Sequence, residues 1–580
     1  MTSKAAQLAS SWLQSFAKAL ESANVDAVVE CFCADGFLRD ILALNWDNRT
    51  LQGHSNISAY LVDFLEDASI SAVELSQKSA FKPEYGRFTE TLSVCGVSAG
   101  FTFETKIGPG AGYFTLVPDE SDSWKALVVM IALQDIRGHE EGINTWRELR
   151  PPGPTWAEMV QQERLTAETE PDVLVVGAGQ TGLNVAARFR QMGISTLVVE
   201  RNHRVGDNWR QRYPTLTLHT PKNYCSMLYQ QHPDNWPEFI PRDKVADWLE
   251  QYAVTQDLFV WTDSRPLPGA RYDTSTKRWT VTIDRAGREV ELHPTHIIVA
   301  SALGAPRLPT IPNQSTFSGI ILHSSQYSGA KSLAGKRVVV VGAGNTAAEI
   351  CADLAAHKAQ SVTMVQRSST WIVSRDSAVE TFNRMYPPDV DVADADFMAM
   401  ARPAKLAMKL EKMGMEQVLE SQKETHRGLA EAGFEINKSG KGFFTLWYER
   451  YGGFWLDTGH AELIRNGSVA VKHGVEVASF SSSSVIFSDN TSLEADCVIF
   501  ATSCENIAET MRGVFGDAII DQVGPVWGLD SEGELQGCYR RAGHPGLWFA
   551  GGEFYLSRAF SKRMALEIKA MQLGLLDGSR

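Results

Sequence analysis

The sequence predicts an α/β protein: two parallel-sheet units of the Rossmann type, preceded by a small α+β cone. Three observations predict it. Two glycine-rich turns, Gly177-Ala-Gly-Gln-Thr-Gly182 and Gly342-Ala-Gly-Asn-Thr-Ala347, lie about 165 positions apart, and each leaves an apolar run and enters a helical pattern. The residues upstream of the first turn carry a separate helix-then-strand pattern. A breaker cluster, Arg150-Pro-Pro-Gly-Pro154, separates that pattern from the rest.

From the amino terminus, Met1 to Asn24 reads as an amphipathic helix around Trp12, Leu13 and Phe16, without the apolar core of a signal peptide. Helical patterns cover 5–22 and 56–66. Strand-like runs follow at 86–95, 100–106, 112–117 and 126–133. These assign residues 1–140 to the cone and 141–170 to a linker. Asp40, Asp47 and His54 could form an Asp–His pair inside the cone, but buried structural hydrogen bonds or docking are favoured. Cys31 and Cys33 have no neighbouring histidines and read as core thiols, so no metal is expected.

The first turn follows Asp172-Val-Leu-Val-Val176, an apolar run of the kind a strand buried on both faces needs. Gly177 permits the tight bend, Gly179 lets backbone approach a pyrophosphate, and Gly182 lets the helix pack on the strand; Gln180 and Thr181 open that helix. The next strand, Ser195-Thr-Leu-Val-Val199, ends at Glu200, 18 positions past Gly182 (200 minus 182). A carboxylate there accepts from ribose hydroxyls and repels a 2′-phosphate, so the first site suits FAD or NAD.

The second turn follows Arg337-Val-Val-Val-Val341, with Gly342, Gly344, Asn345, Thr346 and Ala347 in the corresponding places. Its next strand, Ser361-Val-Thr-Met-Val365, ends in Gln366-Arg367, with no acid. A guanidinium grips a phosphate through paired hydrogen bonds, so Arg367 points to the 2′-phosphate of NADPH. The assigned units are 171–335 and 478–580 for the first site and 336–477 for the second, with a helical excursion at 400–435 whose core, 404–432, reads as one helix.

Other stretches carry a resemblance. Phe317-Ser-Gly-Ile-Ile-Leu-His323-Ser-Ser-Gln-Tyr327 resembles the F-x-G-x-x-x-H-S-x-x-Y sequence of flavin-containing monooxygenases, including the plant YUCCA group and its fungal relatives. Val205-Gly-Asp-Asn208-Trp209 resembles the family's flavin segment. Leu216-Thr-Leu-His219-Thr-Pro-Lys222-Asn-Tyr-Cys225 resembles the L-x-L-H-x-P-K-x-x-C of the YUCCA branch, and Gly546-Leu-Trp-Phe-Ala-Gly551-Gly552 with Arg558 and Ser561 resembles the closing flavin-contact strand and helix. Two glycines of the family pattern are replaced, in Ala300-Ser-Ala302 and in Ala501-Thr-Ser-Cys504. Tyr327-Ser328 stands where related Baeyer–Villiger enzymes carry Trp-Pro or Trp-Asp, which favours the heteroatom-oxygenating or YUCCA-like branch. Residues 37–53 resemble the nuclear-transport-factor or SnoaL-like cone that precedes some fungal monooxygenases, and such cones serve as dimerisation or lid modules.

The resemblance implies FAD in the first site, NADPH in the second, and insertion of one oxygen from dioxygen into a small organic substrate through a flavin C4a-hydroperoxide. It implies that His219 lies at the flavin's reactive edge, Asn345 orients the nicotinamide end, Asn208, Trp209 and Gly551 line the flavin, and His323 stabilises the linker between cofactor units. Two alternatives stay open: an NADPH oxidase or reductase that releases hydrogen peroxide, and a degenerate flavoprotein whose cone binds or scaffolds.

Composition sets outer limits. At 580 residues the chain exceeds the size of one core, so about three domains are expected. A net charge of −14 gives no basic footprint for nucleic acid. Eight cysteines form no C-x-x-C, which removes the dithiol of disulfide-reducing flavoproteins. No apolar run approaches membrane length, so the expected location is cytoplasmic and the expected partners are a substrate and dioxygen, with a homodimer left open.

Overall fold

The computed structural model describes residues 2–89, 92–119, 122–142, 153–301 and 304–577. Much of the expected linker, 143–152, lies outside them, as does Ala302.

The amino-terminal module opens with helix Thr2–Glu21, whose Trp12, Leu13 and Phe16 are all buried. Helix His54–Ala68 packs with it on a seven-stranded sheet of order Asn48–Gln52, Phe32–Ile41, Trp124–Leu133, Pro109–Pro118, Leu92–Glu104, Ser71–Leu75, with Glu84–Thr89 paired to Leu92–Glu104. The strand expected at 86–95 divides between two antiparallel neighbours, Glu84–Thr89 and Leu92–Glu104, whereas the one expected at 100–106 is the end of Leu92–Glu104, whose pairing with Pro109–Pro118 runs unbroken from Val97 to Glu104.

Two five-stranded parallel sheets follow. The first has the order Val260–Trp261, Thr196–Val199, Val173–Val176, His296–Val299, Leu547–Phe549. The second runs Ile320–His323, Cys497–Phe500, Arg337–Val341, Ser361–Gln366, Ala470–His473. The expected boundaries therefore need correction: Ile320–His323 and Cys497–Phe500 belong to the second sheet, although 171–335 and 478–580 had assigned them to the first unit. The central strands of both sheets are almost wholly buried, as helices on both faces of a parallel sheet require, whereas the edge strands Ile320–His323 and Ala470–His473 of the second are partly exposed.

The excursion leaves the second unit after Trp371–Ser374 and returns at Phe454–Asp457, and these two segments pair in parallel. Between them run five helices, Arg375–Met385, Val392–Met400, Ala404–Ser421, Lys423–Glu431 and Phe443–Arg450. The single helix expected over 404–432 is interrupted at Gln422 (φ −109°), a buried residue whose amide oxygen accepts from Ser374 N at 3.0 Å.

The amino-terminal module does not hang free. Ile41, Leu42, Met130, Ala132 and Leu133 share one hydrophobic core with Val173, Leu183 and Met564 of the first unit. Ion pairs rim that contact. Arg39 meets Glu534 through two bonds of 2.9 Å, and Arg540 meets Asp47 at 2.9 and 2.8 Å.

Candidate dinucleotide sites and their junction

Each glycine of the first turn has its own reason. Gly177 has φ +109°, a region open to glycine, and a Cβ there would lie 3.1 Å from Ala300 O. A Cβ on Gly182 would stand 1.9 Å from Gly177 O, so helix Gln180–Gln191 reaches its strand only because that atom is missing. At Gly179 a Cβ would meet only Asn208 Nδ2, at 3.6 Å. Protein packing does not demand that glycine; the space beside it does. Gly179 caps the helix without a side-chain bond, so the helix N-terminus presents unfilled N–H groups to that space. Glu200 sits buried at the neighbouring strand end and accepts from Ala178 N at 2.9 Å and from Asn202 N and Nδ2 at 2.9 and 2.7 Å.

Trp209, in the short helix Asp207–Arg210, touches the cores of both units and carries a buried indole N–H with no partner among the described protein atoms. On the far side Gln180 reaches Gly552 O at 3.5 Å, and Gly551 O accepts from Tyr539 Oη at 3.0 Å. Thr181 is buried in the first turn of the helix. An unfilled helix terminus, an open place beside Gly179, an acid at the ribose position and an unmatched N–H are the features an extended dinucleotide would use, so these residues fit FAD.

The second turn repeats the pattern. Gly342 has φ +132°, with a would-be Cβ 2.6 Å from Ala501 O, whereas a Cβ on Gly344 would meet only Phe454 O at 3.6 Å. Asn345, Thr346 and Ala347 begin helix Asn345–Ala356. Asn345 Oδ1 accepts from Leu456 N at 2.8 Å, which ties the turn to the strand returning from the excursion. Arg367 stands at the strand end, 75% exposed, its guanidinium 3.3 Å from Glu476. An exposed cation beyond a glycine turn with an open helix terminus fits the 2′-phosphate of NADPH.

The sequence left the joint between the sites unread. Helix Asn345–Ala356 carries Glu349 and Asp353 one turn apart on one face. Tyr213 Oη donates to Glu349, and His219 Nδ1 lies 3.2 Å from the same carboxylate. Asp353 accepts from Thr215 Oγ1 at 3.0 Å, Tyr327 Oη at 2.6 Å and Ala330 N at 3.0 Å. Two acids of the second unit thus hold the segment 213–219 of the first. His460 sits beside them, pulled below the ordinary histidine range chiefly by burial. The i, i+4 acid pair just past a glycine turn was the available signal.

His323 is also a joint. Its Nε2 donates to Ser503 O at 2.9 Å and its Nδ1 accepts from Ser325 N at 3.1 Å, while burial lowers its pKa. Ser503, at a family glycine position, keeps a glycine-like φ of +66°. In the cone, Asp40, Asp47 and His54 form no Asp–His pair: Asp40 accepts from Tyr60 Oη at 2.6 Å, Asp47 holds Arg540, and His54 Nε2 contacts Phe32 O. Among the described residues no cluster of metal ligands and no membrane-length apolar helix occurs.

Comparison with known proteins gives these sites a context. The Flavin-binding monooxygenase-like family matches residues 170–507. The probable indole-3-pyruvate monooxygenase YUCCA9 of Arabidopsis thaliana is 35% identical over 206 residues, 35% of this chain and 48% of its own. The indole-3-pyruvate monooxygenase YUCCA8 of Oryza sativa subsp. indica is 28% identical over 397 residues, 65% of this chain and 82% of its own. The chain spans about half the length of YUCCA9 and of the rice YUCCA1 that it also matches. In fold it is similar to a caprolactone-bound cyclohexanone monooxygenase (TM-score 0.51, 17% identity, 70% of this chain and 89% of that one) and to OTEMO in complex with FAD and NADP (TM-score 0.51, 19% identity, 70% and 87%). With its two glycine turns and more than half its length matched, the chain belongs to the flavin-binding monooxygenase-like family, whose cofactors are FAD and NADPH.

Proposed function

We propose that the protein is an FAD- and NADPH-dependent monooxygenase that places one atom of dioxygen in a small organic substrate. The observation that carries this reading is the joint: two dinucleotide turns on separate parallel sheets, held to one another by Glu349 and Asp353. Such a bond network fixes the distance over which reducing power must pass.

The first helix terminus, Gly179 and Glu200 hold the pyrophosphate and adenosine ribose of FAD, with Asn208, Trp209 and Gly551 beside the rest of it. Gly342, Gly344, Thr346, Ala347 and Arg367 hold NADPH. When bound, FAD and NADPH would supply the reducing power that activates dioxygen, as the family resemblance implies. What the chain adds is orientation and dryness. His219, steadied by Glu349, presents its remaining ring nitrogen at the junction. Asn345 spends its oxygen on Leu456 N and keeps its amide N–H₂ for the nicotinamide side. Trp209 and its apolar neighbours keep water out.

The test is stoichiometric. Protein loaded with FAD should consume NADPH and oxygen, and a genuine substrate should lower the hydrogen peroxide returned per NADPH in proportion to oxygenated product. Peroxide equal to NADPH with every compound offered would replace this reading with an oxidase, and a protein that binds neither cofactor would remove it.

A further inference from the structure

The strand that returns from the excursion reaches the second turn by way of a strained helix end. Helix Phe443–Arg450 stops at Tyr451, which holds φ +50° and ψ +38°, the left-handed conformation that glycine commonly supplies at a helix end. Trp447 O accepts from Tyr451 N at 3.0 Å and from the indole N–H of Trp527 at 3.4 Å. The chain then turns at Gly452 and Gly453 with Arg450 laid over it: Arg450 Nε donates to Gly452 O at 3.2 Å, and a Cβ on Gly453 would stand 2.0 Å from the guanidinium. Phe454 follows, its carbonyl oxygen 3.6 Å from a would-be Cβ on Gly344, and Leu456 N donates to Asn345. Tyr451 is thus one short turn away from the second dinucleotide site.

Trp527 comes from the first unit. It follows Val526, which is buried in the core around Leu174, Leu197 and Leu547, and it holds φ +77°. Its ring atoms Cη2 and Cζ3 lie 3.3 Å from the place a Cβ on Gly552 would occupy, and Gly552 O accepts from Gln180 at the head of the first helix. The same ring meets Tyr451 edge-on, centroids 4.9 Å apart and planes at 81°, and meets Trp447 at 5.5 Å and 89°.

A bulky residue in the left-handed region costs energy that glycine does not. Were positions 451 and 527 needed only to turn the chain, glycine would serve at both. Strain of this kind gathers where a side chain must be held in one place. The two strained residues touch each other, and they come from different units. Their contact runs from Gly552, beside the first turn, to the strand that holds Asn345, and it shares no residue with the joint at Glu349 and Asp353.

On the monooxygenase reading, we propose that Tyr451 and Trp527 are positioning residues for hydride transfer: their edge-to-face contact sets how closely the nicotinamide end of the second site approaches the flavin end of the first. In that step NADPH is oxidised to NADP⁺ and FAD takes the hydrogen with its electron pair, at a rate that depends steeply on the separation and angle of the two. Neither residue need touch the reacting atoms. Edge-to-face is a preferred geometry for two rings, so the contact has one favoured separation.

Glycine supplies the variants, because the backbone at both positions already has a conformation that glycine adopts freely. Tyr451→Gly should fold and bind FAD and NADPH within about threefold of the parent, yet anaerobic stopped-flow absorbance at saturating NADPH should show flavin reduction slowed at least about tenfold. Tyr451→Phe keeps the ring and should reduce its flavin at the parent's rate. Failure of Tyr451→Gly to fold, a glycine variant as fast as the parent, a phenylalanine variant as slow as the glycine one, or a defect confined to NADPH affinity overturns the proposal. The second measurement is hydrogen exchange of the full chain without added cofactor, read by mass spectrometry. Trp527→Gly should speed exchange over residues 443–457 at least about tenfold and leave 337–341 as in the parent. Unchanged exchange at 443–457 means that Trp527 holds nothing there, which also overturns it. If NADPH fails to reduce the flavin of the parent, the monooxygenase reading falls, while hydrogen exchange still judges the contact.

Discussion

Gly179 and Gly182 stand three positions apart in one turn, and different forces require them. Gly182 is needed by packing, since its Cβ would lie 1.9 Å from Gly177 O, so Gly182→Ala should yield little folded protein. Gly179 is needed by what fills the site: its Cβ meets nothing of the protein closer than 3.6 Å. Gly179→Val should fold with the parent's circular dichroism and carry no FAD; full flavin content in that variant would contradict the first-site assignment. Asp40 offers a pH test of the module's interior. Burial raises its carboxyl to about 7, against the opposing effect of its bonds from Tyr60, Ala43 and Leu44. A raised folded pKa means that the native state holds the proton more tightly than the unfolded chain, so this acid's contribution falls as pH rises from about 4 to 7. Asp40→Asn removes that dependence, and its melting temperature relative to the parent should climb from pH 4.5 to 8; a constant difference would show that Asp40 does not titrate in this window. Single residues of this kind were only half legible. The sequence marked the glycines, Glu200 and Arg367 because local order defines their places, whereas Glu349 owes its meaning to Tyr213 and His219, more than a hundred positions away.

The elements were more legible than their assembly. The strands at 173–176, 196–199, 337–341 and 361–366 and the helices after each turn follow from short apolar runs and local glycine chemistry. Sheet membership does not. Ile320–His323 looks like part of the first unit until Cys497–Phe500, about 175 positions later, is seen beside it in the second sheet. Similarly, the helix expected over 404–432 is interrupted at Gln422, whose side-chain oxygen accepts from the backbone N–H of Ser374 in another element. At the end of strand Ser361–Gln366, Arg367 is tied among the described residues only to Glu476, at 3.3 Å, an exposed pair worth little. The guanidinium can therefore turn to a 2′-phosphate at small cost, and that contact is worth about 1.5–3 kcal/mol. Arg367→Ala should raise the Michaelis constant for NADPH by about ten- to a hundredfold and leave that for NADH nearly unchanged. An equal change for both nucleotides would mean that another residue reads the phosphate.

Across the whole molecule, the amino-terminal module and the first dinucleotide unit share one core and a set of partly buried ion pairs. Composition had marked a boundary near residue 150, and a chain with such a boundary would be free to melt in two steps. The structure predicts otherwise: calorimetry should show the module and the first unit unfolding together. Glu534→Ala leaves Arg39 buried without its carboxylate, a loss of about 3–5 kcal/mol, and should separate a lower-melting module from the rest; a parent that already melts in two steps would refute the docking. The same docking, with Glu349 and Asp353 between the two parallel sheets, gives the molecule the arrangement that the proposed function needs, two glycine turns on sheets joined by one side-chain network. Anaerobic titration of the purified, flavin-loaded protein with NADPH tests that arrangement most directly. The account predicts that flavin absorbance bleaches completely at one NADPH per FAD, whereas flavin that stays oxidised in excess NADPH would show that the two sites do not meet.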